Sequence, residues 1–465
     1  MNDSTDRTSK VHRVALVSLG CPKNQVDSEL ILGRMTAQGA EVVDDPEQAD
    51  TLVINTCSFI DRAREESVET LLAAEAWKAA RSGRRIIAAG CLVQRSGAEL
   101  ASELPAIDAF VGLDQIAAAG DLLRVVEGSR AASFPPTFPA PVASTATFTH
   151  SDPRRRLSPP WTAYVKIAEG CDQSCSFCAI PSFRGSMRSR PIGDLAAELR
   201  TLASEGVLEA NLIAQDSTAY GRDLGLNDGL AKLVRTIDLL EQAPQWVRLH
   251  YLYPGRISED LVEALATTRR IVPYIDLPLQ HASTRVLRRM KRPGSAESYL
   301  RQLERLREAL PDAGVRSAFI VGFPGESEED FRELLAFVAE AGFDTMGIFS
   351  YSREEGTPAW GLADDIPAEL KKERHAELEE TFLAAAYLSY EQRVGQSFEV
   401  LLEGVAEDDP TAAVARWKGQ APEVDGRVLL PGAAALPPGR FARVRITAAA
   451  PLELVGEILS TQEPS

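Results

Sequence analysis

The chain has 465 residues, enough for several domains of about 100 to 200 residues each, and 45% of its residues are hydrophobic and 25% charged. This composition is typical of a globular protein with sizeable cores and excludes wholesale disorder. Its 50 Lys+Arg against 67 Asp+Glu give a formal net charge of −17, which disfavours generic nucleic-acid binding and suits a cationic partner.

The chain shows no sign of membrane insertion or secretion. No run of about 18 apolar residues is present, and residues 1–10 lack the apolar core of a signal peptide. We therefore expect a cytoplasmic protein without a membrane partner. In that reducing compartment, six cysteines are more typical of ligands or catalytic groups than of disulfides.

Residues 11–128 alternate short apolar runs (VALVSL, TLVINT, RRIIAA) with helix-like stretches such as Asp61 to Ala80. This alternation predicts an α/β domain with an open parallel sheet. Residues 129–156 carry repeated prolines with Ser, Thr and a run of three arginines, Arg154 to Arg156, and lack apolar periodicity. We interpret them as a Pro-rich linker in which the arginines are solvated.

Residues 157–393 contain six strand-like runs separated by helical segments: YVKIA, ANLIAQ, VRLHYLY, YIDLPL, SAFIVG and MGIFSY. Six βα repeats rather than eight predict a partial (βα)6 barrel, followed by a charged helix from Pro367 to about Arg393. In residues 394–461 the helical pattern stops, and short strands with Gly/Pro turns predict a small antiparallel β-barrel. The overall fold class is α/β.

Cys171, Cys175 and Cys178 form the motif CDQSCSFC directly after the first predicted barrel strand. The carboxyl ends of barrel strands carry the active sites of such folds. Three thiolates poorly suit a closed zinc site, which takes four protein ligands, but they suit an iron–sulfur cluster with one open iron. Three buried structural cysteines are the alternative, and the polar, glycine-flanked loop argues against it.

Cys21, Cys57 and Cys91 are far apart in sequence, but each follows an apolar run and precedes a helix-like stretch. Such loops converge at one edge of an open parallel sheet, so we expect a second set of three thiols there. Small buried cysteines are the alternative for each position. Zinc is a rival metal, although His12 precedes the first strand and should lie at the opposite edge.

The spacing C-x-x-x-C-x-x-C, with Phe177 before the third cysteine, resembles the radical S-adenosylmethionine (SAM) enzymes. The resemblance implies that Cys171, Cys175 and Cys178 hold a 4Fe-4S cluster whose open iron binds SAM. The segment AFIVGFPGE resembles the superfamily's glycine motif beside the adenine. Phe177, Gly322 and Gln280 are candidate SAM-binding residues. A plain strand-to-helix turn is the alternative for the segment that contains Gly322, and plain packing is the alternative for Gln280 at its strand end.

The whole chain resembles the radical SAM methylthiotransferases, whose last domain is called TRAM. The motifs SLGCPKNQVDSE, INTCSFI and AAGCLVQR are similar to that family's first domain. The resemblance implies that Cys21, Cys57 and Cys91 hold an auxiliary 4Fe-4S cluster. In the family, one SAM supplies a methyl group to sulfur and another supplies the 5′-deoxyadenosyl radical. No catalytic residue beyond the cluster ligands is predicted.

The motifs EGCDQSCSFCAIPSFRGSMRSRPIGD, LIAQDSTAYG and DLPLQHAS resemble the branch that methylthiolates an aspartate β-carbon of small-subunit ribosomal protein twelve. From Val394 onward the chain has six Lys+Arg and ten Asp+Glu, which also favours a basic ribosomal protein over RNA. Methylthiolation of a transfer RNA adenosine and a non-catalytic iron–sulfur protein are the alternatives. The electron donor protein is not predicted.

Three further residues have two open interpretations. Arg184 and Arg188 follow the cluster motif and could contact a carboxylate of SAM or of the target aspartate, or could pair with nearby acids. His281, at the predicted end of a barrel strand, could face SAM or pack in the core.

Overall fold

The computed structural model describes residues 11–116 and 148–461. The chain forms two compact units: unit 1 comprises Met1–Leu157, Glu169–Asp172 and Ala179–Arg188, and unit 2 comprises Ser158–Ala168, Gln173–Cys178 and Ser189–Ser465. Most of the predicted linker, and the end of the predicted first domain, fall on residues 117–147, outside the described residues. The predicted domain boundaries remain predictions.

The described part of unit 1 contains a parallel sheet of five strands and four helices. Its strands are β1 (Arg13–Ser18), β2 (Glu41–Val42), β3 (Thr51–Thr56), β4 (Arg85–Gly90) and β5 (Ala109–Val111). Its helices are α1 (Pro22–Ala37), α2 (Asp61–Ala79), α3 (Cys91–Glu103) and the short α4 (Ile180–Arg184). The strand order is β2-β1-β3-β4-β5, with every pair parallel. The open parallel sheet is confirmed, whereas β2 and β5 were not predicted.

The sheet of unit 1 is covered on both faces, which explains its apolar strand sequences. All six residues of β3 are buried, and Ile54 packs in one core with Ile86 of β4 and with Leu71 and Ala74 of α2. Since β1, β3 and β4 run in the same direction, their carboxyl ends lie at one edge of the sheet. Helices α1 and α3 begin at that edge.

Unit 2 begins with a partial barrel of six parallel strands. These strands are β6 (Thr162–Lys166), β9 (Glu209–Ile213), β10 (Trp246–Leu249), β11 (Tyr274–Gln280), β12 (Gly314–Val321) and β13 (Thr345–Ser350). They form two sheets of three, ordered β10-β9-β6 and β11-β12-β13. Two short strands, β7 (Ala168–Glu169) and β8 (Arg188–Ser189), span points where the chain passes between the units. The partial (βα)6 barrel is confirmed.

Seven helices accompany these strands in the described part of unit 2: α5 (Ile192–Ser204), α6 (Gly229–Asp238), α7 (Glu259–Thr267), α8 (Thr284–Arg289), α9 (Ala296–Ala309), α10 (Glu328–Ala341) and α11 (Ala368–Glu391). Short 3₁₀ turns occur at Pro46–Gln48, Ser217–Ala219, Pro254–Arg256 and Pro358–Gly361. Among the helices described in either unit, none combines the length and apolarity needed to cross a membrane.

The end of unit 2 is a closed five-stranded barrel, as predicted. Its strands are β14 (Ser397–Val405), β15 (Ala413–Trp417), β16 (Arg427–Leu430), β17 (Phe441–Ala450) and β18 (Glu453–Thr461), in the order β14-β15-β16-β18-β17. Four pairs are antiparallel, and β16 and β18 are parallel. An odd number of strands cannot alternate in direction around a closed ring, so one parallel pair is unavoidable. Strand β15 was not predicted.

A buried ion-pair network joins the small barrel to the large one. Glu209, the first residue of β9, is 0% exposed and accepts hydrogen bonds from Arg248 (Nη2–Oε1, 2.9 Å) and Arg416 (Nη2–Oε2, 2.5 Å). Nearby, the rings of Trp246 and Phe441 lie 4.9 Å apart. The small barrel thus contacts the amino-terminal ends of the barrel strands, opposite the ends where sites are expected.

Burial alone would raise the pKa of the Glu209 carboxyl, but the charges and hydrogen bonds of Arg416 and Arg248 lower this pKa to about 2. A carboxyl with a lowered pKa stabilises the folded state above its ordinary pKa, and that stabilisation is lost as the pH falls towards 2.

Replacing Glu209 should therefore destabilise unit 2. We expect Glu209→Gln to lower the free energy of unfolding at pH 7 by about 3 to 5 kcal/mol, because two buried guanidinium groups lose their shared carboxylate. Between pH 5 and pH 3 the variant should lose less stability than the parent chain. Urea unfolding followed by tryptophan fluorescence at several pH values measures both effects.

Asp260→Asn provides the control, because Asp260 and Arg235 form an ion pair whose side chains are each 40% exposed. This substitution should change the unfolding midpoint little. Equal midpoints for Glu209→Gln and the parent chain would contradict the role assigned to the buried network.

Candidate functional site

The three amino-terminal cysteines lie in the predicted strand-to-helix loops. Cys21 is the N-cap of α1, Cys57 directly follows β3, and Cys91 is the first residue of α3 directly after β4. These positions are at the carboxyl edge of the unit 1 sheet. His12 bonds to Thr51 Oγ1 (2.8 Å), at the start of β3, which confirms that it lies at the opposite edge.

The thiols are close enough to interact, and a polar framework holds them. A Cβ placed on Gly20 would lie 2.7 Å from Cys57 Sγ. The buried Asn24 donates to the carbonyls of Leu19 (2.8 Å) and Thr56 (2.9 Å), thereby joining the ends of two strands. The thiol of Cys91 lies 3.5 Å from Asn24 Oδ1.

Ser67 fixes the backbone of Cys57. The Ser67 hydroxyl accepts from the Cys57 amide (2.9 Å) and lies 3.0 Å from the Cys57 carbonyl. A side chain on α2 therefore sets the position of the loop that carries this thiol.

Without a bound metal, burial and the repulsion between neighbouring thiolates limit how many of the three cysteine thiols ionise. Burial raises the pKa of the Cys91 thiol to about 12; the Arg184 charge opposes this, while negative charge on Cys21 and Cys57 adds to it. Burial also raises the pKa of Cys57. For Cys21, burial is outweighed by the charges of Lys23 and Arg184 and by backbone N–H groups, so its pKa is lowered. Three thiolates here need additional positive charge.

Arg184 contacts this cluster through Cys91. Its Nη2 lies 3.0 Å from Cys91 Sγ, and the guanidinium pairs with Asp27 (3.1 Å) and Glu169 (2.8 Å). The sequence interpretation that Arg184 pairs with nearby acids is confirmed, but its expected location on the surface is wrong, because the side chain is 3% exposed. The contact with sulfur was not predicted. Arg188 donates instead to the carbonyls of Ser186 (2.9 Å) and Arg184 (3.2 Å).

The C-x-x-x-C-x-x-C motif divides between the units. In unit 1, the amide of Cys171 donates to the Gly185 carbonyl (3.0 Å), and Asp172 Oδ1 accepts from the Met187 amide (3.0 Å). In unit 2, the buried Ser176 donates through its amide to the Met290 carbonyl (3.0 Å) and through its hydroxyl to the Arg289 carbonyl (2.7 Å). Hydrogen bonds thus hold the loop at Cys171 and Asp172 and again at Ser176, between the second and third cysteines.

Arg292 is a candidate site residue that the sequence analysis missed. Its Nη1 lies 3.8 Å from Cys175 Sγ, its guanidinium stacks 4.2 Å from the ring centroid of Tyr253, and it donates to the Pro278 carbonyl. The arginine therefore adds positive charge beside a predicted cluster ligand. Its only sequence signal is the KRPG turn after α8, which does not specify a partner.

The three predicted SAM-binding residues lie at or near the carboxyl ends of barrel strands. Phe177 is partly buried against a core cluster that includes Phe323. Gly322, directly after β12, has φ of +71° and donates its amide to Glu326 Oε2 (2.8 Å). Gln280 ends β11 with φ of +76°, a left-handed conformation rare outside glycine. Their roles towards SAM remain predictions.

His281 is fully buried and belongs to the support of the glycine motif. Its Nδ1 accepts from the Ser283 amide (3.0 Å), and its Nε2 lies 3.5 Å from Glu326 Oε2. Glu326 also pairs with Arg374 (2.8 Å). These contacts favour the packing interpretation of His281.

The run Arg154 to Arg156 differs from the sequence expectation. Arg154 pairs with the buried Glu29 (Nη2–Oε2, 2.5 Å), and the amide of Arg155 donates to the Glu29 carbonyl (3.0 Å). The prediction that the arginines of this run are solvated is therefore wrong for Arg154. The reason is that the buried carboxylate of Glu29 on α1 requires a cation beside it.

No group of three or more His, Cys, Asp or Glu side chains in residues 11–116 and 148–461 is arranged to hold a single metal ion. A mononuclear zinc ion requires ligand sulfurs at about 2.3 Å. An iron–sulfur cluster is larger and bridges thiols that are farther apart. By its chemistry, a donor set of three cysteines without a fourth protein ligand fits an iron–sulfur cluster with one open iron.

Three family descriptions match the chain. Residues 13–112 match the Uncharacterized protein family UPF0004, residues 165–338 match the Radical SAM superfamily, and residues 394–459 match the TRAM domain. The three matches follow the order of the open sheet, the partial barrel and the small closed barrel.

The chain is similar over nearly its full length to curated proteins named ribosomal protein uS12 methylthiotransferase RimO. It is 44% identical to that of Anaeromyxobacter sp. (strain K), covering 97% of this chain and 94% of the relative. It is 42% identical to that of Sorangium cellulosum (strain So ce56), covering 97% and 92%. The Geobacter sulfurreducens relative is 42% identical, with 96% and 99% covered.

Among solved structures, the radical S-adenosylmethionine methyltransferase TsrM from Kitasatospora setae, with cobalamin and a [4Fe-4S] cluster bound, is similar in fold. Its TM-score is 0.56 at 14% identity, covering 75% of this chain and 77% of that chain. At this identity the likeness concerns the fold alone.

The close approach at Gly20 predicts how the amino-terminal thiols respond to a single methyl group. Gly20 has φ of +89°, and its missing Cβ leaves room for Cys57 Sγ. The test uses a chain with Cys171→Ala/Cys175→Ala/Cys178→Ala, in which only the amino-terminal cysteines can hold a cluster. We expect that adding Gly20→Ala to this chain reduces its iron content by at least half, because the new methyl group forces Cys57 to move. Iron analysis after anaerobic reconstitution measures this loss.

Gly83→Ala is a matched control. Gly83 has φ of +87°, so an alanine there is similarly strained, but its Cβ would meet nothing within 4 Å. This variant should retain the iron content of its parent. Equal iron losses in the two variants would show that backbone strain, and not displacement of Cys57, causes the effect.

Proposed function

The chain belongs to the family of the ribosomal protein uS12 methylthiotransferases, and from that membership we propose that it attaches a methylthio group to the β-carbon of an aspartate of ribosomal protein uS12. The observation that carries this proposal is the pair of cysteine sets. Three thiols meet at the carboxyl edge of the unit 1 sheet, and the radical SAM motif follows the first barrel strand. The cofactors are two 4Fe-4S clusters and SAM.

The amino-terminal cysteines fit the auxiliary cluster. Cys21 and Cys91 are at the starts of α1 and α3, where helix dipoles favour thiolates, and Arg184 adds a positive charge. Even so, burial keeps the pKa of Cys91 at about 12, so a cationic cluster is what would make all three sulfurs thiolates. We assign Cys21, Cys57 and Cys91 as its ligands.

We assign Cys171, Cys175 and Cys178 as ligands of the radical SAM cluster. When bound, this cluster and SAM supply the carbon-centred radical that removes a hydrogen, and a second SAM supplies the methyl group for the transferred sulfur. Hydrogen bonds of Ser176 and Asp172 hold the loop on both sides of these cysteines. The guanidinium of Arg292 beside Cys175 partly offsets the negative charge of the thiolates.

Candidate SAM contacts come from the ends of barrel strands. The left-handed Gln280 turns the chain at the end of β11, and the Gly322 turn is held by Glu326 and Arg374. Gly322 is required at this turn, because its φ is positive and because a Cβ there would collide with the Lys371 side chain. Phe177 is partly buried and packs against the apolar cluster to which Phe323 belongs. We propose that these three residues contact SAM.

Charge supports a protein substrate over RNA. Four cations of the small barrel already pair with carboxylates: Arg416 with Glu209 and Glu403, Lys418 with Glu399, Arg427 with Asp408 and Glu453, and Arg445 with Glu457. Cations that are paired in this way are less able to neutralise phosphates. We therefore propose that transfer RNA is not the substrate, and that the enzyme acts on its ribosomal target in the cytoplasm with an external one-electron donor protein.

The substrate assignment predicts a defined product. Incubating the anaerobically reconstituted enzyme with SAM, sulfide, a strong reductant and uS12 should add the mass of one methylthio group, located on an aspartate. Intact-protein and fragment mass spectrometry measures this. A parallel reaction with bulk transfer RNA should yield no methylthioadenosine, and its appearance there would move the substrate to RNA.

The two cysteine sets should separate by function. We expect Cys57→Ala to abolish methylthiolation while 5′-deoxyadenosine is still formed from SAM, because the radical SAM cluster keeps its ligands. Cys175→Ala should abolish both. Chromatography of the nucleoside together with mass spectrometry of uS12 measures the two activities, and iron and sulfide analysis verifies that each variant retains one cluster. If a Cys57→Ala enzyme that retains the radical SAM cluster formed no 5′-deoxyadenosine, the proposed separation of roles between the two cysteine sets would be contradicted.

A further inference from the structure

Arg184 is a buried arginine that directs an N–H group at sulfur. It ends α4, its side chain is 3% exposed, and its Nη2 lies 3.0 Å from Cys91 Sγ. This separation would be ordinary for an N–H···O hydrogen bond and is therefore short for sulfur, which is a larger atom than oxygen. A charged donor therefore lies against one of the three amino-terminal thiols.

The surrounding residues fix the guanidinium in this orientation. Nη1 donates to Glu169 Oε1 (2.8 Å), and Nη2 lies 3.1 Å from Asp27 Oδ2 and 3.2 Å from Asn24 Oδ1. Two carboxylates on different segments of unit 1 thus hold both ends of the planar group. Because the fork is held at both ends, the donor facing Cys91 cannot turn away without breaking an ion pair.

Two other arginines of the described residues show the more usual pattern of carboxylate partners and backbone carbonyls. Arg190 pairs with Asp194 and Glu198 and donates to the Lys166 carbonyl. Arg34 pairs with Asp152 and donates to the Ile116 carbonyl. Arg184 lies against Cys91 Sγ in addition to its two carboxylate partners, so its charge acts on the thiol as well as on the acids.

We infer that Arg184 is a positioning residue for the auxiliary cluster: it holds the Cys91 sulfur by a charge-assisted hydrogen bond and favours the reduced, more negative state of the cluster. This inference rests on the proposed function, which assigns Cys91 as a ligand. Hydrogen bonds to sulfur and nearby charge are among the factors that set the reduction potentials of iron–sulfur clusters. Removing the arginine also leaves Asp27 and Glu169 without their shared cation, which acts in the same direction.

The test uses the full chain with Cys171→Ala/Cys175→Ala/Cys178→Ala, which leaves the amino-terminal ligands alone. After anaerobic reconstitution, a redox titration followed by electron paramagnetic resonance gives the potential of the remaining cluster. Adding Arg184→Gln should lower the ratio of reduced to oxidised cluster at a fixed solution potential about tenfold, equivalent to about 59 mV for one electron. Arg184→Lys keeps the charge but not the fork, and should shift the ratio less.

Arg34→Gln is the matched control, because it removes another mostly buried arginine of unit 1 from a carboxylate. Arg34 lies in the last turn of α1, roughly 20 Å along the helix from Cys21, and should leave the potential unchanged. An Arg184→Gln chain with the parent's potential would overturn the inference, as would an equal shift in Arg34→Gln.

The outcomes separate this inference from the proposed function. If the chain without the radical SAM cysteines binds no iron, the ligand assignment fails and the inference fails with it. If it binds a cluster whose reduction potential is the same with Arg184 and with Arg184→Gln, only the inference fails. Should Arg184→Gln bind no cluster, Arg184→Lys decides: a lowered ratio supports the inference, and an unchanged ratio overturns it.

Discussion

Three thiols gathered at one sheet edge, two of them buried, can all ionise only if positive charge lies beside them, and the carboxyl edge of the unit 1 sheet meets this constraint. Parallel strands deliver Cys21, Cys57 and Cys91 to one edge. Helix amino termini, Lys23 and Arg184 favour negative sulfur there, while burial opposes it. The opposing effects leave the thiols short of full ionisation, and this is why we propose that a cationic iron–sulfur cluster completes the site.

In unit 2, the contacts that stabilise the fold and the candidate SAM-binding residues lie at opposite ends of the barrel strands. At the amino-terminal ends, Glu209 joins two arginines and the small barrel packs through Trp246 and Phe441. At the carboxyl ends lie the left-handed Gln280 and the Gly322 turn. Backbone conformations of this kind are unfavourable unless their surroundings hold them, and the buried core below provides that support. A barrel can vary one end without disturbing the other for this reason.

The sequence was sufficient to predict elements whose signal is local. Apolar runs located the three central strands of unit 1 and the six barrel strands, and parallel topology then brought Cys21, Cys57 and Cys91 to one edge. Strands β2 and β5 were missed because runs of two and three residues carry no periodicity. The partners of Arg154 and Arg184 were not predictable, because Glu29 and Cys91 are 125 and 93 residues away along the chain.

The position of Arg184 links the two cysteine sets through the sequence itself. The segment Ala179–Arg188 directly follows Cys178, yet it belongs to unit 1, where Phe183 packs against Cys91 and Arg184 bonds to its sulfur. The length of this segment therefore determines where Arg184 lies relative to Cys91. One residue more or fewer between Cys178 and Arg184 would turn the short helix α4 and carry the guanidinium away from Cys91, although every cysteine would remain in place.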